Sequence, residues 1–138
     1  MPKLIRFGVS LEKPLLDQFD RLIAKRHLPN RSEAFRELIR RGLVREEWHA
    51  ETREVAGAVT LVYDHHKRDL VNRLMDVQHE VHDIILASQH VHLDHHNCLE
   101  IIAVKGKALD VATLAYKLKA VKGIKHSEFT MTTTGKGL

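Results

Sequence analysis

The chain has 138 residues, 43% of them hydrophobic and 29% charged, with a formal net charge of +4. That length holds one ordinary domain or two small ones, and the composition excludes disordered and fibrous classes. No apolar run approaches the ~18 residues of a membrane span, MPKLIRFGVS does not look like a signal peptide, and a single cysteine forms no internal disulfide, so a cytoplasmic protein without membrane partners is expected.

The charge is uneven. Residues 1–50 carry 11 Lys/Arg against 7 Asp/Glu, and residues 51–138 carry 11 against 11. Polyanion binding is therefore expected in the first third. Eight of the 11 histidines lie between His65 and His96.

In chain order, Ile5, Phe7 and Val9 alternate with Arg6, Gly8 and Ser10, which predicts a half-buried strand. Leu15, Leu16, Phe19, Leu22 and Ile23 have helical spacing, and Pro14 suits a first helical turn. After LPN, Asn30 and Glu33 fit a capping box that opens a second helix, which fades near Trp48. About 48 residues with one unpaired strand bury too little to stand alone, so this βαα segment (1–49) is expected to dimerise. AETREVAG (50–57) reads as a linker. Beyond it, GAVTLVYDH predicts a strand, HKRDLVNRLMDVQHEV a helix, DIILASQHVHL and CLEIIAVKG two strands joined by a turn, KALDVATLAYKLKAVKG a helix and IKHSEFTMT a last strand. The order βαββαβ over 58–133 is the ferredoxin-like arrangement, and 134–138 is a frayed tail. The expected class is α+β.

HVHLDHHNC (90–98) concentrates four histidines and the lone cysteine. On a strand His90 and His92 point to one side, and the turn can return Cys98 towards them. Imidazole and thiolate suit late first-row divalent metals. The fourth position is open to water or to another histidine, with His79 and His82 in QHEVH as candidates from the same or a neighbouring subunit. The alternative is that these histidines only line a polar sheet face. HExxH and the zinc deaminase pattern are absent, and Glu100 reads as a cross-strand partner rather than a general base, so an enzyme is not expected. In a paired β-ribbon Arg6, Gly8 and Ser10 would face outward, where a two-stranded ribbon enters the major groove; a plain dimerisation module is the alternative.

IRFGVSL, NRSEAFRELIR, YDHHKRDL, QHEVHD and HVHLDHHNCLEI, in that order, resemble the nickel-responsive ribbon-helix-helix repressor family (NikR) over nearly the whole chain. The resemblance implies a homotetramer, a dimer of dimers, in which N-terminal ribbon-helix-helix dimers flank central ACT-type domains. It implies one Ni(II) per subunit in a square-planar site, with His90, His92 and Cys98 from one subunit and His79 from another. It implies DNA contacts from Arg6, Gly8, Ser10, Lys67 and Arg68, and a weaker cation site at Glu33 and Glu37. Gly8 stands where members often carry Ser or Thr, which removes a side-chain contact. The expected function is repression of nickel-uptake genes through nickel-dependent binding of operator DNA. The rival reading is a nickel storage or trafficking protein whose N-terminal module only dimerises.

Overall fold

Backbone periodicity and burial fix the elements in a computed structural model that describes residues 2–138. Two compact units emerge, the first ending at Arg41 and the second spanning Gly42–Leu138.

In the first unit, helix α1 (Lys13–Lys25) starts with a proline in its first turn and ends with Lys25 in its last. Helix α2 (Arg31–His49) runs on into the second unit. Asn30 caps α2: its Oδ1 accepts the backbone N–H of Glu33 at 2.9 Å. The capping box is only half built, because the Glu33 carboxylate turns to Arg36 instead of reaching back. Phe19 and Phe35 pack with ring centroids 5.1 Å apart. The strand expected near Ile5–Val9 is not formed: residues 2–12 are neither strand nor helix. A strand exists through its hydrogen-bonded neighbour, and this unit supplies none.

The second unit is a four-stranded antiparallel sheet of order β2-β3-β1-β4, built from β1 (Glu54–Asp64), β2 (Ile85–His92), β3 (Asn97–Lys107) and β4 (His126–Met131). With α3 (Arg68–Glu80) after β1 and α4 (Ala108–Lys119) after β3, the connectivity is βαββαβ, as expected. Alternation is clean: Val55, Val59, Leu61 and Tyr63 of β1 and Cys98, Glu100, Ile102 and Val104 of β3 are buried. Leu70 and Leu74 of α3 and Val111, Leu114 and Leu118 of α4 complete that core. Trp48 packs edge-on against Phe129, centroids 5.4 Å apart, and donates to the carbonyl of Thr132 at 2.9 Å.

The linker expected at 50–57 is shorter than that reading. Residues 54–57 belong to β1, with Val55 fully buried opposite Gly106. No helix among the described residues is long and apolar enough to cross a membrane.

Candidate metal centre

The β2–β3 register builds the site. His92 pairs with Cys98 and His90 with Glu100; on the other side of β3, Tyr63 of β1 pairs with Cys98. Directly opposed residues share a face, so these five side chains stand together on the helix side of the sheet. Under the helices, Tyr63, Cys98 and Glu100 are buried. β2 is an edge strand, so His90 and His92 are exposed on that same face.

Glu100 is the hub, at 2% exposure. Its Oε1 accepts the Tyr63 hydroxyl at 2.7 Å and lies 3.3 Å from His90 Nε2. Its Oε2 accepts Gln78 Nε2 at 3.0 Å and Ser88 Oγ at 2.8 Å. A buried carboxylate is tolerated only when so fully hydrogen-bonded. The cross-strand pairing expected of Glu100 is present, but spacing alone gave no sign of its reach to α3. Gln78 precedes His79, and His79, His82 and His90 line one cavity of about 390 Å³. Burial, then donation to Glu100, pushes the Tyr63 phenol well above its ordinary range. Burial also raises the Cys98 thiol, and the Glu100 charge adds to this. A metal bound at Cys98 must therefore displace a proton held more firmly than usual.

The donor set of two imidazoles and a thiol at an open sheet edge fits a late first-row divalent ion. Within one chain these donors have other partners. His90 faces Glu100, and the His92 ring stacks on His65 at 4.6 Å with 6° between planes. Among the described residues, the group with all its ligand atoms within 4.8 Å of one another is instead Asp64, His66 and His96. The tripeptide Asp-His-His occurs twice, at 64–66 and 94–96. Each aspartate folds the same turn, its Oδ1 accepting the backbone N–H two residues on at 2.9 Å. The repeated tripeptide is the signal by which this group could have been found from sequence. Hydrogen bonds from the His66 N–H to Asp64, and from the Asn97 side chain and the Asn97 and His96 N–H groups to Asp94, hold both carboxyls below the usual range.

Arg6, Gly8 and Ser10 are exposed in residues 2–12. Lys67 caps α3 and Arg68 opens it, and with Arg73 and Lys122 they line a cleft of about 490 Å³. Both members of the expected weaker cation site are already paired with guanidinium groups. Glu37 lies 2.9 Å from Arg41 and 3.5 Å from Arg26, and Glu33 is engaged by Arg36.

The family described as the NikR C terminal nickel binding domain matches residues 56–132. The ribbon-helix-helix protein, copG family, matches residues 5–46. A relative from Nitratidesulfovibrio vulgaris (strain Hildenborough) named "Putative nickel-responsive regulator" is 55% identical over 138 residues, covering 100% of this chain and 99% of the relative. Relatives of the same name from Syntrophus aciditrophicus and Chlorobium phaeobacteroides are 53% and 60% identical, covering 98% and 91% of this chain and 98% and 93% of their own. A solved structure of an uncharacterised Thermotoga maritima protein overlays with a TM-score of 0.52 at 12% identity, covering 57% of this chain and 98% of that one, a likeness of fold alone.

Proposed function

The chain belongs to the nickel-responsive ribbon-helix-helix regulators, and from that premise we propose that it is a repressor of nickel uptake that binds operator DNA when nickel is present. We assign His90, His92 and Cys98 of one subunit and His79 of another as the ligands of one ion per subunit in a homotetramer. The observation that carries this reading is the placement of His90, His92 and Cys98 on one sheet face at an open edge.

Ni(II) would be held there by imidazole and thiolate donors and would supply a fixed cross-link between the subunits that provide them. The rest is the work of the chain. Glu100 orients His90 and, through Gln78, ties the last turn of α3 to the hairpin. Holding His79 holds α3, and Lys67 and Arg68 sit at the other end of that helix. Ligation at one end would thus restrict the two cations assigned to the DNA backbone at the other. Arg6, Gly8 and Ser10 are assigned to the major groove and Glu33 and Glu37 to a weaker cation site, which would need Arg36 and Arg41 to swing away.

Two exposed apolar surfaces support the assembly. Ile5 and Phe7 are 79% and 71% exposed, a large amount of unburied side chain for a ribbon unless a second copy covers it. On the helix-free side of the sheet, Val62, Leu99 and Ile101 are only half-buried and Val91 is exposed, a face able to take another subunit.

The test uses an operator selected from random duplexes with the nickel-loaded protein. Cys98→Ala abolishes the nickel-dependent gel shift, and Arg6→Ala loses DNA binding while keeping nickel. A full nickel response in the Cys98 variant refutes the ligand assignment; DNA binding unchanged by Arg6→Ala refutes the repressor reading in favour of storage.

A further inference from the structure

We infer that Lys125 is a positioning residue for the assigned nickel site, acting through Asn97 and Asp94 to hold the turn that separates His92 from Cys98. The inference rests on the ligand assignment proposed above. His92 closes β2 and Cys98 is the second residue of β3, so residues 93–97 set the spacing of two ligands. Backbone bonds close this turn. The N–H of Leu93 donates to the Asn97 carbonyl at 2.9 Å, and the N–H of His65 donates to the His96 carbonyl at 3.1 Å. Side chains shape it further. Asp94 Oδ1 accepts the N–H groups of His96 and Asn97 at 2.9 and 2.8 Å. The Asn97 amide nitrogen donates to both Asp94 oxygens, at 3.2 and 2.9 Å.

An amide side chain has a donor end and an acceptor end, so these bonds depend on which way Asn97 faces. Lys125 decides that. Its Nζ, which only donates, sits 2.5 Å from Asn97 Oδ1. With the oxygen taken, the amide hydrogens are left for Asp94. Lys125 immediately precedes β4, and its own N–H donates to the Val62 carbonyl of β1 at 2.9 Å. β1 lies between β3 and β4 in the sheet, so the Lys125 side chain crosses the end of β1, where Asp64 pairs with Asn97. A residue 28 positions along the chain thus fixes the turn from the far side of β1. Lys125 is exposed and Asn97 half-buried, and one such bond adds little to global stability. Its effect falls on the freedom of the turn. A turn that samples more arrangements makes nickel select the one that aligns His92 with Cys98, and apparent affinity falls by the fraction in that arrangement.

Nickel affinity of the full-length protein, measured by competition with a chelator, tests the clamp. The nickel–thiolate absorption at saturation and the Trp48 urea transition are recorded in parallel. Lys125→Met and Asn97→Ala each weaken nickel about 10-fold, the lower end of what residues orienting a ligand from outside contribute. The double variant is no weaker than Asn97→Ala, because both residues act through one chain of bonds. Lys125→Arg, which keeps a cationic donor, restores most of the affinity. The saturated absorption and the urea transition stay as in wild type. The sign is diagnostic, since removing a cation near a metal would by charge alone tighten binding. Tighter or unchanged nickel binding in Lys125→Met overturns the clamp, and so does additive weakening in the double variant. Wild-type nickel affinity in Cys98→Ala overturns instead the ligand assignment on which the clamp rests.

Discussion

The two units differ in where their apolar side chains go. In the second, Leu61, Ile102, Leu114 and Leu118 are closed off between one sheet face and two helices. In the first, Ala34 is the one buried hydrophobic residue among the described residues, while Leu4, Ile5, Phe7 and Val9 stand in solvent. An open groove of about 940 Å³ runs between the 2–12 segment and the helices, lined by Ile5, Phe7, Leu16 and Phe35 among others. The difference is that one unit encloses its core within one chain, while the other leaves open the apolar side chains that the proposed second copy would cover. A unit of about 40 residues cannot enclose a core by itself.

The largest effect expected is in the complete unit. Ile102 is fully buried between Val59 and Ser88 in the sheet. Ile102→Ala should cost about 2–5 kcal/mol, read as a lower urea midpoint from Trp48, the single tryptophan, which reports on this unit through Phe129. A shift below 1 kcal/mol, on the order of a surface change, would mean the core is looser than its burial indicates. Next comes the incomplete unit. Phe7→Ala should leave the Trp48 urea transition unchanged, yet weaken association of the N-terminal segments by about 1.5–3 kcal/mol per side chain covered. Operator affinity reads that loss. If the Trp48 transition moved instead, Phe7 would belong to the core of its own chain and the contrast between units would collapse.

Much of the fold was legible because alternation and helical spacing are local properties of the chain. The strands of the second unit and all four helices follow from them. What was missed depends on partners distant in sequence. Glu54, Ala56 and Gly57 look like a linker because they are polar, small or flexible, and Val55 between them gives one apolar residue too few for a pattern. Pairing shows why a glycine stands in that strand: a Cβ at Gly57 would lie 2.7 Å from the Thr130 carbonyl of β4. The strand at the N-terminus was legible as a pattern, but residues 2–12 find no ladder partner within the chain, and the proposed pairing with a second copy would supply one. At the site, His90, His92 and Cys98 announce themselves by spacing. The four-partner burial of Glu100, and the meeting of Asp64 and His66 with His96, arise from the register between β1, β2 and β3.

Glu100 sharpens the comparison at the level of polar groups. In the complete unit a carboxylate is buried and spends its lone pairs on Tyr63, Gln78, Ser88 and His90. Residues that orient a ligand through hydrogen bonds change metal affinity by about 10- to 100-fold when altered. Glu100→Gln keeps the shape, and its amide nitrogen places a donor where one of these partners met an acceptor. Nickel affinity, measured by competition with a chelator, should fall by about that factor while the far-ultraviolet circular dichroism stays unchanged. Unaltered affinity would reduce Glu100 to a structural member of the core.

The smallest effect belongs to the only bidentate ion pair of the first unit among the described residues. Arg31 donates to Asp20 through Nε at 3.0 Å and Nη2 at 2.9 Å, joining α1 to the start of α2. Exposed pairs contribute little and are screened by salt. The hydrogen bonds from Arg31, and then its charge, hold the Asp20 carboxyl below its ordinary value. A carboxyl whose folded value is depressed adds stability above the unfolded value of about 3.9 and loses it as pH falls through the folded one. Asp20→Asn removes that dependence. Its helix signal should therefore be slightly weaker than wild type near neutral pH, with the gap closing below about pH 4 and shrinking in about 1 M salt, where the Debye length is near 3 Å. Identical pH curves for the two proteins would leave the α1–α2 junction resting on the Phe19–Phe35 contact and the longer Arg26–Glu37 pair. The first unit would then lose its best-aligned electrostatic anchor, and its fold would depend on the proposed second copy more than this ion pair suggests.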